Sequence, residues 1–206
     1  MESVVKSSPE CSLLDIGGAS GEFSYYLKKR FSHLDVTALD YDQKLVEHGK
    51  AKVGHYLHFV QGDANRMDMF HDLQFDLVTM IGVLSIFDDF TLSLSECIRL
   101  AQKKVFVVAQ FNEYPIDALI RWRYSGDQSS YNRGYNLFSK KSIGSFLAQH
   151  DRVSKWGFNK FELPFDLPQR PKDLIRSWTE LDKEGGRIFR NGLMIINLEI
   201  LTIDLL

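Results

Sequence analysis

The sequence is short of cysteine, of net charge and of long apolar runs. Two cysteines, Cys11 and Cys97, occur in 206 residues. That is too few for a disulfide framework and fits a reducing compartment. The formal net charge is −2, so no global field draws the chain to nucleic acid or to an anionic membrane. The longest apolar stretch, Leu193–Leu206, is interrupted by Asn197, Glu199 and Asp204 and is too short to span a bilayer. The N-terminal MESVVKSSPECS lacks the apolar core of a signal peptide. These absences predict a cytoplasmic protein without membrane contact. The six histidines are scattered, and no group of acids and histidines has metal-ligand spacing, so no metal is expected. What is present is 44% apolar and 25% charged, an ordinary globular balance. The length suits one domain over residues 1–206.

Short apolar runs alternate with helical spacing. Ser12–Ile16 is a strand that ends in Gly-Gly, and Glu22–Phe31 follows as a helix with Phe23, Tyr26, Leu27 and Phe31 in phase. Leu34–Leu39 is a second strand. Asp42 caps the next helix, with Leu45, Val46 and Gly49 inward. Leu57–Val60, Phe75–Ile81 and Lys104–Ala109 are further strands, with a helix through Leu94, Cys97, Ile98 and Ala101 before the last. Repeated β–α units of this kind predict a parallel sheet with right-handed crossovers. Ser139–His150 returns to helix, with Ser139 as N-cap. Trp156–Leu163 and Leu193–Leu206 read as an antiparallel strand pair closing the sheet. Between them, residues 164–190 read as an insertion. Pro171 would start a helix there, with Leu174, Ile175, Trp178 and Leu181 on its apolar face and Gly185-Gly186 at its end. Asn191-Gly192 signals a tight turn.

The segment Leu13–Phe23 runs from strand through a glycine-rich turn into a helix, an arrangement that brings backbone N–H groups up to a ligand. A dinucleotide loop wants glycine at the first, third and sixth positions. Counted from Gly17, the third and sixth are Ala19 and Glu22; counted from Gly18, they are Ser20 and Phe23. Neither register fits. The spacing Asp15-x-Gly17-x-x-x-Gly21 instead resembles the cofactor loop of class I S-adenosylmethionine (SAM) methyltransferases, with Ala19 where many members carry a middle glycine. The resemblance covers roughly residues 12–110. It implies an α/β, Rossmann-like three-layer sandwich with a mostly parallel seven-stranded sheet and an antiparallel C-terminal pair. It also implies SAM as cofactor, with S-adenosylhomocysteine (SAH) as product. By that resemblance the cofactor is held by Asp15, Gly17, Gly18, Ala19 and Gly21, by Asp40 on the ribose hydroxyls, by Tyr41, by Asp63 and Ala64 at the adenine, and by Ile81 and Gly82 at the methionine end. Read singly, Asp40 and Asp63 are equally well helix caps, and Asp15 equally well orients the loop. Together they fall at the carboxyl ends of successive strands, where open α/β sheets bind ligands.

Methyl transfer from a sulfonium mainly requires a held nucleophile and exclusion of water, so no sharp catalytic constellation is required. The Asn/Asp-Pro-Pro-aromatic signature of amino-methylating enzymes and a Pro-Cys nucleophile are both absent. Gly82–Asp89 resembles the corresponding stretch of small-molecule methyltransferases. Asp88, Glu113 and Tyr114 are the candidate bases or orienters. Residues 112–136 form the expected acceptor wall, with Trp122, Tyr131 and Tyr135 to stack and Arg121, Arg123 and Arg133 to clamp an anion. A surface helix over Ile116–Tyr124 is the competing reading. The expected partner is a small, anionic sugar or metabolite. The alternatives are an RNA or protein substrate and a non-catalytic SAM-binding subunit. The glycine loop begins so early that residues 112–136, the 164–190 insertion, or a homodimer or partner subunit is expected to close the cofactor site.

Overall fold

A computed structural model describes all residues except Pro9, 127–132, Pro171, Leu174, Ile175 and Leu193; for Arg133 it describes the backbone alone. The chain begins with α1 (Glu2–Ser7), β1 (Ser12–Ile16), α2 (Glu22–Arg30), β2 (Asp35–Asp40), α3 (Gln43–Val53), β3 (His58–Gln61) and β4 (Phe75–Ile81). A 3-10 turn (Leu84–Ile86) leads to α4 (Thr91–Leu100) and β5 (Ala101–Asn112). Short strands β6 (Arg121–Trp122), β7 (Arg133–Gly134) and β8 (Phe138–Ser139) precede α5 (Lys140–Leu147) and β9 (Val153–Lys160). The chain ends with β10 (Trp178–Leu181), β11 (Arg187–Arg190), β12 (Ile195–Ile196) and β13 (Leu198–Leu205).

The main sheet runs β3-β2-β1-β4-β5-β13-β9. β1 to β5 are mutually parallel, while β13 is antiparallel to both β5 and β9. Strand order therefore reverses at β1/β4, which leaves a crevice at the carboxyl ends of those strands. The unbroken apolar character of β4 follows from burial on both faces. Val78 and Met80 join one buried cluster with Leu94, Ile98 and Ile143; Leu77 joins another with Val5, Leu27 and Val46. Asp42 caps α3 through Lys44 N at 2.8 Å, and Ser139 caps α5 through Lys141 N at 3.1 Å. Both caps are those expected from the sequence. Among the described residues, no helix is long and apolar enough to cross a membrane.

Four expectations are corrected. Leu45 is exposed rather than inward, because α3 buries only Val46 and Gly49. No helix covers Trp178 and Leu181. Trp178–Leu181 is β10, paired antiparallel with Arg187–Arg190. The Asp182 carboxylate accepts from Glu184 N and Gly186 N at 2.9 and 2.7 Å, so Gly185-Gly186 closes a hairpin instead of ending a helix. Pro171, Leu174 and Ile175 lie outside the described residues. The last strand is two: β12 pairs with β11, and β13 with the main sheet. The Asn191-Gly192 turn, closed by Met194 N donating to Asn191 Oδ1 at 3.0 Å, serves that small sheet. Finally, Ile116–Tyr124 is not a helix; Arg121–Trp122 pairs antiparallel with Arg133–Gly134.

Candidate functional site

The glycine loop is held from beneath. Gly17 N and Gly18 N donate to Leu39 O at 2.8 and 3.0 Å, tying the turn to the end of β2. Gly17 has φ +73°, and a Cβ there would stand 2.0 Å from Val83 Cγ2. Gly21 has φ +87° and packs on the Phe59 ring, where a Cβ would be 2.6 Å from the ring. Both positions need glycine for conformation and for space.

Asp15 is 2% exposed and does not line the cavity that the loop borders. Its two oxygens accept from Ser24 Oγ at 2.6 Å and Thr79 Oγ1 at 2.9 Å. Burial pushes its carboxyl above the usual range, while those two hydroxyls pull it back. Direct ligand contact by Asp15 is therefore corrected: it ties β1, α2 and β4 together under the loop.

Asp40 is placed differently. Its Oδ2 accepts from Ala19 N and its Oδ1 from Asp42 N, both at 2.9 Å. Each carboxylate oxygen has further acceptor capacity after one such bond. The group is thus fixed in orientation and still able to accept two hydroxyl protons. It lines a cavity of about 360 Å³ together with Gly17, Leu39, Tyr41, Gly62, Asp63, Ala64, Asn65, Val83, Ile86 and Phe87. Asp63 Oδ1 accepts from Asn65 N at 2.9 Å, an Asx turn that presents the Asp63–Asn65 backbone to the cavity. Asn65 Oδ1 is buried without a hydrogen-bond partner, although the residue itself borders the cavity.

The structure thus gathers Gly17, Asp40, Tyr41, Asp63 and Ala64 around one cavity. Gly18, Ala19 and Gly21 shape the loop behind it, and Ala19 acts through its N–H on Asp40. Ile81 ends β4 and Gly82 follows it, neither lining the cavity; among the described residues beyond its chain neighbours, no atom lies within 4 Å of the Cβ position of Gly82, so space is open above it. Asn65, Leu39, Gly62, Val83, Ile86 and Phe87 were missed. Asn65 was within reach of sequence reasoning, since it follows Asp63-Ala64 directly.

The candidate bases do not converge. Asp88 is ion-paired with Arg121, Glu113 with Lys140, and Tyr114 is 72% exposed. Both carboxylates tie neighbouring segments together. Of the acceptor-wall residues, Tyr131 lies outside the described residues, as does the Arg133 side chain. Trp122 and Tyr124 meet edge to face at 5.5 Å. Burial raises the Tyr135 phenol above its usual range against a lowering hydrogen bond with Gln110, so it stays a neutral hydroxyl. Among the described residues no group of three or more His, Cys, Asp or Glu could hold a metal ion.

Comparison with known proteins agrees with this geometry. Residues 14–109 match the family described as a methyltransferase domain. A demethylmenaquinone methyltransferase of Thermotoga maritima is 30% identical over 104 residues, 50% of this chain and 44% of the relative. One from Staphylococcus haemolyticus is 26% identical over 162 residues, 77% of this chain and 63% of the relative. The chain therefore spans less than two thirds of either relative's length. The solved YcgJ protein of Bacillus subtilis superposes with a TM-score of 0.62 at 13% identity, covering 99% of this chain and 96% of that one. At that identity the likeness speaks for the fold alone. The fold and site define a Rossmann-like α/β domain with a nucleoside-sized cavity at its topological switch point. The part of the chain that carries the cavity, residues 14–109, is similar to that methyltransferase-domain family, and the residues around the cavity fit SAM, the cofactor such domains use.

Proposed function

We propose that this chain transfers the methyl group of SAM to a small acceptor. The observation that carries the reading is Asp40: an acid anchored by two backbone N–H groups, with acceptor capacity left on both oxygens, on the wall of a cavity at the strand ends. When bound, SAM supplies an electrophilic methyl group on a sulfonium. The chain's own part is to hold the ribose diol at Asp40 and to present the Ala64 backbone and the Asn65 amide to the base. Apolar side chains of Leu39, Val83, Ile86 and Phe87 would exclude water from the pocket.

Support for an anionic acceptor is weaker than the sequence suggested. Arg121 already bonds Asp88 and the Asn136 side chain, so its guanidinium is not an open clamp. The reading is therefore a small sugar or metabolite acceptor of uncommitted charge. The names of the two relatives point to a quinone-type ring as one candidate class. The acceptor would approach over the open space at Gly82, past the end of β4.

The test is incubation with methyl-labelled SAM and three separated pools: small metabolites including quinones, RNA, and protein. Label in the small-molecule pool with stoichiometric SAH supports the proposal. Label in RNA or protein would replace it with the macromolecular alternative. SAH binding without turnover on any pool would leave a non-catalytic SAM-binding subunit.

A further inference from the structure

Asn136 is fully buried, at 0% exposure, yet polar. Such a group persists only when every part of it is bonded. Its backbone N donates to Ser85 O at 2.7 Å. Its side-chain Nδ2 donates to Phe87 O and contacts Asp88 Oδ1 at 3.5 Å. Its Oδ1 accepts from Ile120 N at 3.2 Å and from Arg121 Nη1 at 2.7 Å. Arg121 in turn pairs with Asp88. The orientation of the amide is unambiguous, since two donors face one atom and two acceptors the other.

The partners divide into two groups. Ser85, Phe87 and Asp88 belong to the turn after β4, which supplies Ile86 and Phe87 to the cavity wall. Ile120 and Arg121 belong to the segment that continues through the antiparallel bridge Ala118–Leu137. We propose that Asn136 is a positioning residue that joins these two pieces, so that the cofactor wall and the chain at Ala118–Trp122 move as one unit. The inference rests on the cofactor reading above. Filling the cavity fixes Ile86 and Phe87, and through Asn136 it fixes Ile120 and Arg121. By linkage, ordering that segment must raise affinity for the cofactor by the same factor.

Asn136→Asp separates the two halves. The carboxylate still accepts from Ile120 N and Arg121, but its second oxygen meets the Phe87 carbonyl with no proton to give. The test uses SAH titration by calorimetry together with trypsin cleavage after Arg121 and Arg123. In the wild type, saturating SAH slows cleavage at these sites several-fold. In Asn136→Asp the affinity for SAH falls about tenfold, the scale of one lost buried hydrogen bond, and protection is lost even at saturation. A purely structural role for Asn136 would lower the melting temperature and leave protection by SAH intact. Wild-type SAH binding without protection overturns the inference, as does a variant that binds within twofold and is equally protected. If the variant fails to fold, the wild-type measurement still overturns the inference when SAH binds without protecting these sites. No SAH binding by the wild type would instead remove the cofactor reading itself.

Discussion

Replacing Asp40 tests the cofactor site at its centre. In the folded protein each oxygen of this carboxylate accepts one backbone N–H at 2.9 Å, from Ala19 and from Asp42. The bound ribose would add one hydroxyl donor to each. Hydrogen bonds to a charged group contribute about 1.5–3 kcal/mol each. Asp40→Ala removes both ligand bonds, so the expected loss is at least ~3 kcal/mol, or about 100-fold in the Kd for SAH. Asp40→Asn is not a mild change. Its NH2 would oppose one of the two backbone N–H donors, so the side chain loses an anchor as well as a ligand bond. It should therefore fall closer to the alanine variant than to the wild type. The control is Asp42→Ala, which deletes the α3 cap on Lys44 N and costs about 1 kcal/mol of stability. It leaves the backbone bond to Asp40 in place. Calorimetric titration with SAH and thermal melts on all three variants separate the outcomes. A loss below about fivefold in Asp40→Ala, with a normal melt, would refute the argument.

Gly17→Ala should lower both SAH affinity and melting temperature. A left-handed backbone costs a non-glycine residue about 1–2 kcal/mol, and the new Cβ would collide with Val83; unchanged titrations would count against the role of the loop. Acid stability should depend on Glu96, which accepts from Met67 N at 2.7 Å and from Arg99. The bond from Arg99 is the first cause holding its pKa below the usual value of 4.5. A lowered folded-state pKa gives stability that is complete above the unfolded value and disappears as pH falls through the folded one. Glu96→Gln should therefore flatten the melting-temperature curve below about pH 4.5, and an unchanged acid limb would exclude Glu96. Burial pushes the Cys11 thiol up to about 11 and that of Cys97 further, so a thiol-disulfide dye should react with neither in the native protein and with both after denaturation. Fast native labelling of one equivalent would show a site more open than the packing allows.

The limits of sequence reading follow from what fixes each residue. Strands β1 to β5 and their helices were legible because burial on both faces writes a local pattern of apolar runs and caps, and Asp42 and Ser139 cap as their type requires. The loop glycines were legible because their backbone angle excludes other residues. Asp15 was ambiguous for a physical reason: an acid that ends a strand can face either the crevice or the core. Only the hydroxyls of Ser24 and Thr79, 9 and 64 residues away in the chain, decide for the core. Trp178–Leu181 was misread because its apolar spacing from Leu174 and Ile175 suits a helix. The turn that makes it a strand is set by Asp182 reaching Gly186, a bond between groups that look like a helix stop. Asn136 left no trace in any period or motif, since its partners at Ser85, Phe87, Ile120 and Arg121 meet only in the folded chain. Those residues that act through distant polar partners are the ones a pattern cannot carry. The junction of Ile120, Arg121 and Asn136 with the turn after β4 is built largely from them. It follows that a substitution at Asn136 disturbs both pieces at once, whereas one in the glycine loop disturbs the cofactor side alone.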